Sequence, residues 1–136
     1  ILHNMEGKPK ATGTSKFADV QNKNMYYYSA VLWASNNKIV NGYTNGKFGA
    51  NDNITREQLA VMLSNYCKYK GKYKATNANY SKFSDSGKIS GYAKIGMNWA
   101  VGHKIVNGSN GKLNPQGTAT RAEAAAMIYN YCNRIK

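Results

Sequence analysis

The stretch KIVNGYTNGKFG, residues 38–49, returns one residue shorter as KIVNGSNGKLN at residues 104–114. The match extends to both sides of these stretches, and it includes aromatic, acidic, basic and cysteine positions. The paired positions are Phe17 with Phe83, Asp19 with Asp85, Tyr26 with Tyr92, Trp33 with Trp99, Thr55 with Thr120, Arg56 with Arg121 and Cys67 with Cys132. Two long copies in register indicate tandem supersecondary units.

Each copy has the pattern of a helix, a loop and a second helix. The first helices have stripes of residues at helical spacing, which we expect to be buried. These stripes are Tyr26, Ala30, Trp33 and Ala34, and Tyr92, Gly96, Trp99 and Ala100. The second helices, of about a dozen residues each, have stripes of the same kind. These are Leu59, Met62, Leu63 and Tyr66, and Ala124, Met127, Ile128 and Tyr131.

The loops and the starts of the second helices also have local signatures. NGYTNG and NGSNG are rich in Gly and Asn, which accept a positive φ at little cost. TREQ at 55–58 and TRAE at 120–123 place Thr three residues before Gln or Glu. This spacing predicts a capping box at each helix start.

The charge of the chain indicates an anionic partner. Its 136 residues contain 19 Lys and Arg against six Asp and Glu, a net charge of +13. Charge alone does not distinguish nucleic acid, a membrane surface and an acidic polysaccharide. No apolar run approaches the roughly 20 residues of a membrane span, and the first residues lack the order of a secretion signal.

The first copy has FADV, KIVNGYTNGKFG and TREQ in this order, and the second has FSDS, KIVNGSNGKLN and TRAE. These ordered motifs resemble the S-layer homology (SLH) domain family. The resemblance implies an all-α fold of tandem helix-loop-helix SLH repeats, part of a pseudo-threefold helical bundle. It implies a non-catalytic module that anchors exported proteins to the bacterial cell wall or S-layer. The implied ligand is a secondary cell-wall polysaccharide, commonly pyruvylated, held in grooves between repeats.

The repeat pattern predicts four segments. ILHNM at the start matches the ends of the second helices, so residues 1–16 are interpreted as the tail of a preceding repeat plus a linker. One SLH repeat is predicted at 17–67, a basic linker at 68–82 and another SLH repeat at 83–136. Self-association that completes the missing repeat is a further possible partnership.

Arg56 and Arg121 are the first candidate ligand-binding residues. Each follows its N-cap Thr, where a cation opposes the helix dipole. An anion at this place would receive free backbone N–H groups and a guanidinium fork, which fits a carboxylate well. The alternative is that each arginine pairs with a neighbouring acid such as Asp19 or Asp85.

Other candidates lie in the repeated loops and the first helices. Asn45, Lys47, Asn110 and Lys112 offer donors to sugar hydroxyls or carboxylates, with ordinary turn chemistry as the alternative. Gly42 and Gly108 serve backbone geometry and offer their N–H groups to a ligand. Trp33 and Trp99 offer rings for sugar stacking, although their place in the helical stripe favours core packing.

The remaining polar residues suggest structural roles. Asp19 and Asp85 are expected to cap the first helices. NDN at 51–53, His3 and His103 are not accompanied by a metal-ligand set, and no catalytic set can be assembled, so neither a metal, a cofactor nor an enzyme is predicted.

Two features leave alternatives open. Cys67 and Cys132 are either bridged or free. KYKGKYK at 68–74 is either a grip for an anionic polymer or an exposed flexible linker. Generic polyanion or nucleic-acid binding, or a purely structural part in a larger exported protein, therefore remain alternative functions.

Overall fold

The computed structural model describes residues 1–136, and its regular secondary structure is helical. Its α-helices are α1 (Leu2–Met5), α2 (Tyr28–Asn36), α3 (Arg56–Tyr69), α4 (Lys94–Gly102) and α5 (Arg121–Arg134). Two short 3-10 helices, Ser86–Lys88 and Gly91–Ala93, precede α4, and β-type pairing is limited to two isolated bridges. The all-α prediction is confirmed. None of the helices combines the length and the apolar character that a membrane span requires.

The chain folds as two compact units, residues 1–52 and 53–136. The first unit contains α1 and α2, and the second contains α3, α4 and α5. The helix α3, which by sequence ends the first repeat, therefore packs within the same unit as the second repeat. The predicted segment boundaries stay a prediction.

The core of the first unit forms around α2. Phe17 and Val20, which precede the helix, are buried together with Tyr28, Val31 and Leu32. The short α1 packs on α2, where the His3 ring lies 5.4 Å from the Trp33 ring between centroids. The helical prediction for ILHNM is thus confirmed.

The core of the second unit forms where α3 meets α4. Leu59, Leu63 and Met97 are buried in it. Gly96 permits the close approach of the helices, because a Cβ at this position would lie 2.9 Å from Val61 Cα. A second side of α3 contacts α5, where the Tyr66 and Tyr131 rings are 5.6 Å apart.

Both capping boxes are present. Gln58 N donates to Thr55 Oγ1 at 3.2 Å, and Thr55 N donates to Gln58 Oε1 at 2.9 Å. The same reciprocal pair joins Thr120 and Glu123, at 3.0 and 3.2 Å. Both helices have 14 residues, close to the expected length.

The two tyrosines at the start of the expected stripes are not buried. Tyr26 is 92% exposed and Tyr92 is 63% exposed. The prediction was wrong at these positions because α2 begins at Tyr28 and α4 at Lys94, so neither tyrosine follows the α-helical spacing. Trp33 and Trp99, further along the same stripes, are buried as expected.

Part of the basic segment 68–82 packs on α4, whereas residues 68–72 are exposed, and its assignment as a linker stays a prediction. The Tyr73 ring stacks on the Trp99 ring with centroids 6.3 Å apart and planes at 16°. The Lys68 ammonium lies 4.7 Å from the Tyr73 centroid, and Thr76 Oγ1 donates to Asn98 O at 2.9 Å. Aromatic packing and a part-buried hydrogen bond thus join Tyr73 and Thr76 to α4.

Candidate functional site: the repeated loops and the TR helix starts

Asp85 holds the second repeated loop. Its carboxylate accepts hydrogen bonds from Leu113 N and Asn114 N, both at 2.8 Å, and the residue is buried. The bond from Leu113 is the main cause of a lowered pKa of the Asp85 carboxyl, with Asn114 N contributing further. The ionised carboxylate is therefore a structural part of the loop.

Asp19 has the same role in the first unit. It accepts from Phe48 N at 2.8 Å, Gly49 N at 2.8 Å and Ala50 N at 3.1 Å. The hydrogen bond from Phe48 is the main cause of the lowered pKa of the Asp19 carboxyl. The expectation that Asp19 and Asp85 cap the first helices was wrong, since α2 and α4 have no side-chain cap. The two carboxylates instead accept hydrogen bonds from backbone N–H groups at the ends of the repeated loops.

Gly42 and Gly108 shape the two loops, with φ of 74° and 72°. A Cβ at Gly108 would approach Lys112 O to 2.8 Å and would collide with the Phe83 ring. Positive φ and lack of space thus both require glycine here, as expected from the sequence. A contact of their N–H groups with a ligand stays a prediction.

The four polar loop candidates are all exposed. In the first unit, Lys47 N donates to Asn45 Oδ1 at 3.0 Å, which is turn chemistry of the kind named as the alternative. In the second, Asn110 lies in the turn that Ser109 and Lys112 close by reciprocal backbone hydrogen bonds of 2.8 and 3.0 Å. The side chains of Lys47 and Lys112 are exposed to solvent beside these turns.

Arg56 forms a salt bridge with a carboxylate other than those of Asp19 and Asp85. Its Nε lies 2.6 Å from Glu123 Oε2, and its backbone N donates to Gly117 O at 3.0 Å. The guanidinium also lies near Asn114 O, with Nη1 at 3.5 Å. The acid partner is Glu123, which the sequence reasoning did not consider. Glu123 was recognisable as part of a capping box, but no sequence signal pairs it with Arg56.

Arg121 has different surroundings from its repeat equivalent. It is exposed at the first residue of α5 and forms no salt bridge. Its guanidinium fork is therefore accessible next to the unpaired N–H groups of a helix start. The two TR motifs have the same sequence, but the Arg56 guanidinium is in a salt bridge and the Arg121 guanidinium is not.

Glu57 is a polar residue of this region that sequence reasoning missed. It is 2% exposed, and its carboxylate accepts from Ser90 N at 3.0 Å, Ser90 Oγ at 2.6 Å and Tyr92 Oη at 3.2 Å. Gln116 Nε2 donates in turn to Ser90 Oγ at 3.0 Å. The start of α3 is thus tied to the segment before α4. Its position beside Arg56 gave no sign of burial.

Trp33 and Trp99 are core residues. They are 3% and 0% exposed, and neither ring offers a face to a ligand. Trp99 packs against Tyr73 and Tyr131, and its buried Nε1 has no hydrogen-bond partner. The two tryptophans are therefore not part of the proposed site.

The histidines and cysteines have structural surroundings that do not indicate a ligand site. A ring nitrogen of His3 lies 2.9 Å from Pro9 O, and one of His103 lies 2.8 Å from Lys74 O. Cys67 and Cys132 are free thiols; Cys67 is buried, and burial raises the pKa of its thiol, whereas Cys132 is exposed. No group of three or more His, Cys, Asp or Glu side chains is gathered where it could hold a metal ion.

The sequence model of the S-layer homology domain matches residues 16–60 and 82–125, and the chain belongs to the S-layer homology domain family. SLH domains are non-catalytic modules that anchor S-layer proteins and cell-surface enzymes to the wall. The chain is accordingly an extracellular, cell-wall-associated one.

Relatives of different kinds share this region. An amylopullulanase of Thermoanaerobacterium thermosulfurigenes is 37% identical over 120 residues, which are 87% of this chain and 6% of that protein. An exoglucanase of Acetivibrio thermocellus is 36% identical over 84% of this chain and 10% of that protein. A surface-layer 125 kDa protein of Lysinibacillus sphaericus is 30% identical over 88% of this chain and 10% of that protein. The chain thus spans a tenth or less of these relatives.

Proposed function

We propose that the chain anchors its polypeptide to the wall by binding an anionic, pyruvylated secondary cell-wall polysaccharide. The observation that carries the proposal is Arg121, an exposed arginine with no acidic partner at the start of α5. A pyruvate ketal bears a carboxylate, and a guanidinium binds a carboxylate through two parallel hydrogen bonds. The helix start adds backbone donors and a favourable dipole.

The repeated loops supply donors for the sugar hydroxyls. Asn110 and Lys112 are exposed in the second unit, and Asn45 and Lys47 are exposed in the first. The N–H groups of the loop glycines, Gly42 and Gly108, add backbone donors. The carboxylate of an aspartate accepts backbone hydrogen bonds at the end of each loop, which lowers the cost of ordering the backbone on binding.

Arg56 can bind the polysaccharide only after its salt bridge with Glu123 is broken. Its guanidinium is bound to Glu123 at 2.6 Å, so a ligand carboxylate has to displace that of Glu123. This exchange lowers the affinity contributed by Arg56 relative to that of Arg121.

The chain also has a surface that supports self-association. The α3 residues Glu57, Ala60 and Ser64 are buried. The α5 residues at the equivalent repeat positions, Ala122, Ala125 and Tyr129, are exposed. Because the neighbouring Val61 of α3 contacts Gly96 of α4, we infer that the same face of α5 is covered by a second copy of the chain.

The experiment that tests the proposed ligand is binding to purified wall polysaccharide before and after removal of pyruvate by mild acid, at one ionic strength. Loss of binding after removal is the expected result. Equal binding to both samples contradicts ketal-directed anchoring and favours attraction by the net charge of +13. In that case arbitrary DNA or RNA also binds, and its affinity falls steeply with salt.

A further inference from the structure

A groove of about 530 Å³ lies in the second unit beside the second repeated loop, where its lining residue Asn107 precedes Gly108. One wall is formed by residues within 77–83, which are the end of the basic segment 68–82 and Phe83. The other is formed by residues 101–107, the end of α4 and the turn that follows it. None of the loop or arginine residues of the proposed site lines this groove.

The charged groups of the groove are Lys82 and Lys104. Both side chains are exposed, and neither forms a salt bridge. Two ammonium groups in one concave site, with no acidic side chain among the lining residues, favour an anionic group. The Lys82 ammonium also lies 5.2 Å from the centroid of the Phe83 ring, another lining residue.

The other lining residues suit a sugar ring. Asn77, Asn79 and Asn107 present side-chain amides. The Asn79 carbonyl oxygen accepts from Ser81 N at 2.9 Å, which leaves its amide N–H groups for another acceptor. Val101 and Val106 add apolar surface for the C–H face of a ring. Convergent polar groups on a partly apolar concave surface are typical of ligand sites.

Both walls are fixed in place without a ligand. Asn98 on α4 holds the first wall, because its side-chain oxygen accepts from Ala78 N at 3.2 Å and its backbone oxygen from Thr76 Oγ1 at 2.9 Å. The second wall is held by backbone bonds from Lys104 N to Val101 O at 3.1 Å and from Ile105 N to Ala100 O at 2.8 Å. Such preorganisation lowers the cost of binding.

We propose that this groove is a second saccharide site, which binds a sugar unit bearing an anionic group, either a carboxylate or a phosphate ester. The anionic group lies on Lys82 and Lys104, and the ring hydroxyls accept from the asparagine amides. The site needs neither the pyruvate ketal nor Arg121. It would let one chain hold an acidic glycan at two separate points, so that each contact raises the effective concentration of the other.

The test is a titration of the amide NMR spectrum of the whole chain with D-glucuronic acid, glucose 6-phosphate and methyl glucoside at one ionic strength. We expect saturable shifts of the amides in 77–83 and 101–107 with one or both acidic sugars. The acidic sugar that saturates at the lower concentration identifies the preferred anionic group. Methyl glucoside should bind at least about tenfold more weakly, because it lacks the charge that the lysines attract.

A pair of double variants locates the binding. Lys82→Gln with Lys104→Gln should weaken the acidic sugar by about tenfold or more, since both ammonium contacts are lost. Lys88→Gln with Lys94→Gln removes the same charge from exposed lysines outside the groove and should leave the affinity within about twofold. Well-dispersed spectra establish that both variants fold.

Three results would overturn the second site. They are equal weakening in both double variants, shifts confined to other parts of the chain, and the absence of saturable groove shifts up to about 50 mM of each acidic sugar, a concentration beyond weak millimolar binding. Arg121→Gln separates the two proposals. It should weaken binding to the pyruvylated polysaccharide by about tenfold or more and leave the groove shifts caused by the acidic sugars intact.

Discussion

Arg56 Nε and Glu123 Oε2 lie 2.6 Å apart, which joins the first turn of α3 to the first turn of α5. The same Glu123 carboxylate accepts from Thr120 N through its other oxygen. One side chain therefore both caps α5 and holds α3. Arg121, the repeat equivalent of Arg56, has no such partner, so the two TR motifs differ in what remains accessible to a ligand.

Replacement of Arg56 should raise the pKa of Glu123. The hydrogen bond from Arg56 is the main cause of the lowered Glu123 pKa, so Arg56→Gln should return it toward the usual glutamate value. The contact stabilises the fold above the unfolded-state pKa, and this contribution is lost as the pH falls through the folded-state pKa. A carboxyl-detected NMR titration measures the change. In the control Arg121→Gln, the Glu123 titration should stay close to that of the parent.

Loss of the Asp85 carboxylate should destabilise the second unit. Asp85→Asn leaves the N–H groups of Leu113 and Asn114 with one carbonyl oxygen instead of two carboxylate oxygens. An unsatisfied buried donor costs about 1–3 kcal/mol, and we expect a loss of unfolding free energy in this range. Urea denaturation measures it. Asp52→Asn, at an exposed carboxylate, is the matched control and should change stability by less than about 0.5 kcal/mol.

A methyl group at Gly96 should separate α3 and α4. Its Cβ would lie 2.9 Å from Val61 Cα and 2.9 Å from Val61 Cγ2, so the helices have to move apart. Overpacking of this kind costs about 1–3 kcal/mol. It outweighs the gain in helix propensity of about 1 kcal/mol that Gly→Ala brings. We therefore expect Gly96→Ala to lower the melting temperature.

The control for Gly96 is Gly91→Ala. No atom outside the neighbouring residues lies within 4 Å of a Cβ at Gly91. Its stability should stay within about 0.5 kcal/mol of the parent. Equal stability of the Gly96→Ala variant and the parent would show that the helices accommodate the extra carbon.

Arg121→Ala should abolish most of the binding to pyruvylated wall polysaccharide without unfolding the chain. The residue is exposed, and its removal breaks no salt bridge. A loss of about 10-fold or more corresponds to one charge-assisted bidentate contact. Arg134→Ala, near the other end of α5, removes the same charge and should bind nearly as the parent does. Unchanged binding of Arg121→Ala would remove this arginine from the site.

Self-association should depend on the exposed face of α5. Ala126 of this face is the repeat equivalent of Val61, the residue of α3 that contacts α4. Ala126→Glu places an uncompensated charge in the proposed contact and should shift the mass measured by light scattering toward a single chain. A parent that is monomeric at every concentration tested would contradict the contact. Lys136→Glu, outside the helix, provides a control for the added negative charge.

The sequence predicted the parts of the fold that depend on local rules. Helix starts at Thr55 and Thr120 followed from the capping-box spacing, and the positive φ of Gly42 and Gly108 followed from the composition of the loops. The buried tryptophans followed from helical periodicity. Each of these features is decided by residues a few positions apart, and a single sequence contains that information.

Contacts between distant residues were not predictable in the same way. Asp19 and Asp85 were expected at helix starts, but they bind loop N–H groups about thirty residues further along the chain. Glu57 is buried because Ser90 and Tyr92 come to it, which no local pattern indicates. The state of Arg56 likewise depended on Glu123, 67 residues away. The sequence therefore indicated candidate residues by their type, but it did not indicate which of them already bind other groups of the chain.

The position of α3 also bears on how such proteins grow. The sequence repeat ends with this helix, yet the helix packs in the unit that contains the second repeat. Duplication of one repeat therefore copies both halves of an interface. One half is a face of the second helix, and the other is the first helix, which packs on the second helix of the repeat before it. Every added copy therefore has a helix surface that fits the neighbouring repeat. Chains of this family can thus be lengthened or recombined at repeat boundaries while each new junction is specified in advance.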